Sequence, residues 1–165
     1  MTLILPALKK SYSAEQSFLF ETPEISLNEQ GYTCVIGKNG SGKSSFGAEL
    51  AHTSRNNGHN WYYLPQYLER FLFAENILDQ LHNILTQEID TSRLMTLLND
   101  LGFDDAMKML EFPFLLLSGG ERRRMALVCV FYLQPKFIIL DEPDIGVTEK
   151  ENMVLLSKID NLQAI

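Results

Sequence analysis

Residues 37–44 read Gly-Lys-Asn-Gly-Ser-Gly-Lys-Ser, a match to G-x-x-x-x-G-K-[ST]. These residue types suit one task, holding the phosphates of a nucleotide. Glycines let backbone N–H groups converge on phosphate oxygens without a Cβ in the way, and the start of a helix adds partial positive charge. Lys43 is placed to reach the β- and γ-phosphates, and the Ser44 hydroxyl to ligate Mg²⁺. Gly37, Asn39, Gly40, Ser41, Gly42 and Ser45 complete the candidate nucleotide-binding set. A glycine-rich turn with an accidental lysine is the alternative. The context argues against it, because the apolar, β-branched run Tyr32–Ile36 precedes the loop and a helix is expected after it, through about His52.

A second group lies near the other end. Phe137–Leu140 are four apolar residues, read as a buried central strand, and Asp141-Glu142-Pro143 follow. A carboxylate at the carboxyl end of such a strand would face a Mg²⁺ held by Ser44, which gives Asp141 a metal-binding role. Glu142, one residue on, is placed to polarise an attacking water. Standing alone, the pair would read as two capping acids after a buried strand. Beside a phosphate loop it reads as chemistry.

Between these groups stands Leu117-Ser118-Gly119-Gly120-Glu121, which resembles the LSGGQ signature of the ABC ATPases, with Glu121 at the fifth position. Arg124 matches the family's arginine three residues further on, and the interval of 24 residues from Leu117 to Asp141 is the usual one. The resemblance covers essentially the whole chain. It implies that Tyr12, 25 residues before Gly37, is the aromatic that stacks on adenine. It also implies that Gln66, after the strand Asn60–Leu64, is the glutamine that contacts Mg²⁺ or the attacking water.

The fold implied is α/β: a P-loop NTPase with a mainly parallel sheet, a reduced antiparallel β-subdomain and an inserted α-helical subdomain. Residues 1–165 then form a single ABC ATPase domain, with 1–67 and 117–165 as the nucleotide-binding core and about 68–116 as the helical subdomain. The implied activity is Mg²⁺-dependent ATP hydrolysis, with Glu142, Lys43 and Gln66 catalytic and Ser44, Gln66 and Asp141 on the metal. ATP and Mg²⁺ are the cofactors. Two cassettes would join head to tail, as a homodimer or with a second ABC cassette, and Ser118, Gly119, Gly120 and Glu121 would face the partner's γ-phosphate.

Three departures from the family pattern bear on function. Lys43 and Gln66 are only 23 residues apart, which cuts down the antiparallel subdomain. Thr148 stands where the family carries a carboxylate that reaches the opposing subunit. None of His52, His59 and His82 occupies the switch-histidine position, and the chain stops at Ile165 before the strand that would carry one. The sequence therefore reads as a short, C-terminally truncated cassette in which ATP binding survives and hydrolysis is slow or absent.

Several elements must position these groups. Leu3–Leu5 and Phe18–Leu27 read as strands; apolar residues at helical spacing from Ile77 to Leu85 and from Leu94 to Leu101 read as helices. Asp104-Asp105 can cap another helix, an apolar helix runs from the signature to Leu133, and a last one covers about 149–161. Arg122-Arg123-Arg124 reads as a mainly solvated helix face, with a phosphate-facing role for one arginine left open, Trp61-Tyr62-Tyr63 as strand packing, and Phe112, Phe114 and Leu115 as core.

The whole-chain numbers agree with one domain. The chain has 165 residues, 45% hydrophobic and 21% charged. Its formal net charge is −7, so a nucleic-acid groove is unlikely, and the longest apolar run, Met125–Leu133, falls far below the ~18 residues of a membrane span. Cys34 and Cys129 each sit in an apolar run and read as buried, reduced thiols. The expected compartment is the cytosol.

Three functions are carried forward. The first is the nucleotide-binding subunit of an ABC transporter, bound at the inner face of the membrane to a separate permease through a surface that includes Glu69, Arg70, Phe71 and Phe73. The second is a soluble ABC ATPase acting on a macromolecule, which Glu121 in place of glutamine mildly favours. The third is an ATP-binding sensor with little turnover, which Thr148 favours. The transported substrate would be chosen by the partner.

Overall fold

The computed structural model describes residues 2–5, 7–11, 19–28, 33–56, 61–68, 71–142, 153 and 157. Alternating and β-branched segments near the start form four short strands: β1 (Thr2–Leu5), β2 (Leu8–Ser11), β3 (Leu19–Thr22) and β4 (Ile25–Asn28). They pair as two antiparallel ribbons. β1 runs against β4 with Leu3 opposite Leu27, and β2 against β3 with Lys9 opposite Glu21. The single strand expected over 18–27 is thus two strands with different partners. Pro23 sits at the break, where a residue without an N–H cannot continue a ladder.

Helix α1 (Lys43–Asn56) follows the phosphate loop, and β5 (Trp61–Leu64) follows α1. Next come α2 (Ile77–Ile84), α3 (Thr91–Asp100) and the single turn α4 (Ala106–Met109), capped by the side chains of Asn76, Asp90 and Asp105. Gly102, at φ +80°, ends α3 in a Schellman arrangement: Phe103 N–H donates to Leu98 and Gly102 N–H to Asn99. A 3-10 turn over Phe114–Leu116 leads to α5 (Gly119–Leu133) and then β6 (Phe137–Leu140).

β5 and β6 pair in parallel, Trp61 with Phe137 through to Leu64 with Leu140. Their side chains alternate between two faces. Trp61, Phe137 and Ile139 pack toward Phe46 and Leu50 of α1. Tyr62, Leu64, Ile138 and Leu140 join the larger cluster made by α2, α3 and α5. A parallel pair covered by helices on both faces explains why both strands are apolar throughout. The same logic makes α5 apolar all round, since every residue from Met125 to Tyr132 is buried.

Four expectations fail. Thr33–Ile36 joins no strand; its residues are exposed, Ile36 at 92%. Apolar and β-branched residues permit a strand, but a strand also needs a ladder partner, and this segment runs outside the β5–β6 ladder. Cys34 is consequently exposed, whereas Cys129 is buried in α5, where burial pushes its thiol up to about 12. Leu115 is 84% exposed, on the outer side of a turn whose inner residue, Phe114, fills the core. β6 is half-buried rather than buried as expected, and among the described residues β5 is its strand neighbour. Tyr12, His59, Glu69, Arg70, Thr148 and nearly all of the 149–161 helix lie outside the described residues.

Candidate functional site

The phosphate loop is shaped by its glycines. Gly40 and Gly42 have φ of +76° and +94°, a region open to glycine and costly for other residues. A Cβ on Gly37 would lie 2.6 Å from Ser41 Oγ. Ser41 N–H donates to Lys38 O at 3.1 Å, and Phe46 N–H to Gly42 O at 2.8 Å, which starts α1. Lys43 Nζ donates to the carbonyls of Gly37 (2.9 Å) and Lys38 (3.1 Å), so its ammonium lies across its own loop.

β5 and β6 deliver the second half. Asp141 N–H donates to Leu64 O at 3.0 Å, extending the parallel ladder by one bond. That bond brings Asp141 and Glu142 beside Pro65 and Gln66. Gln66 Nε2 donates to Glu142 Oε2 at 2.6 Å. Glu142 itself has φ +50°, an uncommon backbone for a non-glycine residue.

Tyr63, which sequence reasoning assigned to strand packing, reaches the same place. Its hydroxyl donates to Asp141 Oδ2 at 3.3 Å and lies 3.5 Å from the carbonyl of Ser44. Burial, with the Asp141 carboxylate adding to it, pushes this phenol up to about 12, so it remains a donor at neutral pH. The ring fits because Gly47 of α1 faces it; a Cβ there would sit 3.2 Å from Tyr63 Cε2.

The arginines after the signature are not a solvated face. Arg123 is 3% exposed, and its guanidinium donates to the carbonyls of Pro65 (2.5 Å), Asp141 (2.6 Å) and Glu142 (2.9 Å). Arg122 donates to Phe114 O and Leu115 O, fixing the turn before the signature. The Arg124 guanidinium lies 5.2 Å from the Phe103 ring centroid. Charge and helical spacing predict exposure, and only the nearby carbonyls explain the burial of Arg123.

Ser118 caps α5 in a reciprocal box. Its Oγ accepts from Glu121 N–H, while Glu121 Oε2 accepts from Ser118 N–H (2.8 Å) and Oγ (2.6 Å). Hydrogen bonds from the Ser118 hydroxyl and amide hold the Glu121 carboxyl below its usual range. Ser-x-x-Glu before an apolar run is a readable capping signal that the sequence analysis did not use. Ser118 and Gly119 are exposed, and a Cβ on Gly119 would meet open space.

A cavity of about 480 Å³ opens at this end of the sheet. Lys43, Asp141 and Glu142 line its charged side, and Val35, Phe46, Trp61 and Ile139 its apolar side. None of Ser118–Glu121 lines it. Of the three residues expected on Mg²⁺, Asp141 lines this cavity and Ser44 and Gln66 do not; a carboxylate, a hydroxyl and an amide oxygen are the hard-oxygen types that suit Mg²⁺. The loop's glycine geometry and the open start of α1 fit a polyphosphate.

Fold and loop together define a phosphate-loop nucleotide-binding α/β protein. The sequence profile of the family described as ABC transporter matches residues 20–144. The chain belongs to that family. A Pyrococcus furiosus protein assigned as an ABC transporter ATP-binding protein is 29% identical over 171 residues, covering 84% of this chain and 62% of the relative. The energy-coupling factor transporter ATP-binding protein of Symbiobacterium thermophilum is 36% identical over 99 residues, 57% of this chain and 34% of that protein.

Among solved structures, one reported as an inward-facing metal-chelate type ABC transporter superposes with a TM-score of 0.65 at 23% identity, over 99% of this chain and 70% of the other. An ATP binding subunit of an ABC transporter gives 0.61 at 23% identity, over 78% and 62%. At that identity the likeness is one of fold. The chain spans less than two thirds of the length of these curated relatives. Among the described residues, no helix is long and apolar enough to cross a membrane.

Proposed function

We propose that this chain binds ATP with Mg²⁺ and hydrolyses it as the nucleotide-binding subunit of an ABC transporter. The observation that carries the reading is the meeting of two halves at one end of the β5–β6 pair. The loop with Lys43 and Ser44 starts α1 there, and Gln66, Asp141 and Glu142 lie at the strand ends with Tyr63 linking Asp141 to the start of α1.

In this reading the backbone N–H groups of residues 37–45 hold the phosphates. Lys43 exchanges its two carbonyl partners for β- and γ-phosphate oxygens, and Tyr12 stacks on adenine. Ser44, Gln66 and Asp141 would hold Mg²⁺, which when bound offsets charge on the phosphates. Glu142 polarises the attacking water once Gln66 has released its carboxylate. Residues 68–116 are the helical subdomain and the remainder the nucleotide-binding core.

The start of α5 serves a second copy. Ser118, Gly119 and Gly120 offer a hydroxyl and helix-terminal N–H groups to the γ-phosphate bound by the partner, in a head-to-tail pair with a like chain or a second cassette. Phe73, exposed after Gln66, and the exposed Leu115 and Leu116 form the surface offered to a membrane-embedded permease. The named relatives are transporter subunits, which supports this partner over a nucleic acid, as does the net charge of −7.

A second reading, an ATP-binding sensor with little turnover, is favoured by the 2.6 Å bond that occupies Glu142 and by Thr148 in the sequence. One experiment tests the main reading: the molar mass of the Glu142→Gln variant in solution, with and without Mg-ATP. The expected result is a shift from monomer to dimer on adding nucleotide, because loss of the base traps ATP between two copies. An unchanged mass, with ATP binding intact by titration, overturns the head-to-tail mechanism.

A further inference from the structure

We propose that Arg123 is a positioning residue that ties the Pro65–Gln66 turn to the Asp141–Glu142 turn and fastens both to the helix that begins at Ser118. The inference rests on the ATPase reading of Gln66, Asp141 and Glu142.

The parallel ladder ends with Asp141 N–H on Leu64 O. Past that bond, the two chain segments are joined by one guanidinium, which donates to Pro65 O, Asp141 O and Glu142 O at 2.5, 2.6 and 2.9 Å, and by the Gln66–Glu142 side-chain bond. A planar group with five donors in a fixed fork can hold carbonyls from two strand ends at once; an ammonium, a single point of charge, cannot match that spread. The bond to Glu142 O has a particular use. Glu142 is held at φ +50°, a conformation that persists only where its surroundings over-determine it. Fixing its carbonyl from one side and its carboxylate from the other sets the direction in which that side chain points.

Arg123 also lies two residues after Glu121 on α5. Any shift of the first turn of α5, which presents Ser118 and Gly119 outward, is therefore transmitted through one rigid side chain to Gln66 and Glu142. The surface that meets a second copy's nucleotide and the residues that act on this copy's own nucleotide become one mechanical unit.

The test is titration of a fluorescent ATP analogue into the full chain, in EDTA and in Mg²⁺, for the wild type, Arg123→Met and Arg123→Lys. In EDTA the affinities are expected to agree within about twofold, because the carbonyls that Arg123 holds belong to Pro65, Asp141 and Glu142 and not to the phosphate loop. The gain in affinity on adding Mg²⁺ should fall by about tenfold in Arg123→Met, as expected when support behind metal ligands is lost, with partial recovery in Arg123→Lys. Where turnover is measurable, kcat should fall and KM for Mg-ATP should rise in step with the lost Mg²⁺ gain.

Arg93→Met is the control for stability alone. Arg93 holds the Phe131 and Tyr132 carbonyls at the far end of the same helix, and its loss should lower the melting temperature without altering the Mg²⁺ gain. If Arg123→Met fails to fold, Arg123→Lys carries the test. A full Mg²⁺ gain in the folded Arg123 variants overturns the proposal. A wild type that binds no nucleotide overturns the ATPase reading itself, and this inference with it.

Discussion

Residue chemistry at the signature turn can be read through acidity. Glu121 is an anion held by the Ser118 hydroxyl and amide, and its carboxyl is depressed for that reason. A depressed carboxyl contributes stability that is complete above its unfolded value and is lost as pH falls through its folded value. The window is therefore acidic, below about pH 4. Melting curves at pH 7 and pH 3 should show a larger loss for the wild type than for Glu121→Gln, which has no carboxylate to protonate; equal losses would disprove the coupling. Ser118→Ala removes the cap and should cost about 1 kcal/mol at pH 7 in a denaturant titration. At this scale the sequence was readable where a motif carried the chemistry, as in residues 37–44, 118–121 and 141–142. It was silent on Arg123 and Tyr63, whose partners are carbonyls and carboxylates brought from more than 15 positions away.

Between elements, the contact that matters most to the site is α1 against the β5–β6 pair. Gly47 makes it close: a Cβ would lie 3.2 Å from both Tyr63 Cε2 and Ile139 Cγ2. Alanine should gain about 1 kcal/mol in helix propensity, while an overpacked contact costs about 1–3 kcal/mol. Here the clash should win. Tyr63 is pinned by its bond to Asp141 and Ile139 by its strand, so neither can move aside cheaply. Gly47→Ala is thus expected to destabilise by about 1 kcal/mol in urea unfolding. Tyr63→Phe, which frees the ring, should recover part of that loss in the double variant; strict additivity would show that the ring was not held. Apolar residues at period 3.6 placed α2 and α3, and unbroken apolar runs placed α5, β5 and β6. It misled at Thr33–Ile36, where composition permitted a strand and the pairing that would make one lies elsewhere.

Over the whole molecule, two hydrophobic clusters share the parallel pair. The larger one, built by α2, α3 and α5, holds Leu98, Leu101, Met125 and Leu127 at no more than 1% exposure. The smaller one, around Leu50 and Trp61, packs α1 against the pair through Phe46. Leu98→Ala in the larger cluster should cost about 3 kcal/mol, the usual toll of a cavity in a packed core. The folded fraction should keep its ATP affinity in a fluorescence titration, because α1, which the loop leads into, packs on the other cluster. A matching loss of affinity would mean that the two clusters act as one.

Local chemistry explains what the sequence determined unaided. A phosphate loop needs glycines and a lysine at fixed spacing, so Gly37–Ser45 was legible from residue types alone, and Asp141-Glu142 from the apolar run before it; Ser118–Glu121 was reached through its resemblance to the ABC signature, while its Ser-x-x-Glu capping pattern went unread. Tertiary structure decided the rest. It set which face of β5 met α1, which partners the strands on either side of Pro23 took, why Arg123 is buried, and why Leu115 and Cys34 are exposed. Those outcomes depend on groups distant in the chain meeting in space, and no local pattern encodes which carbonyl a guanidinium will find.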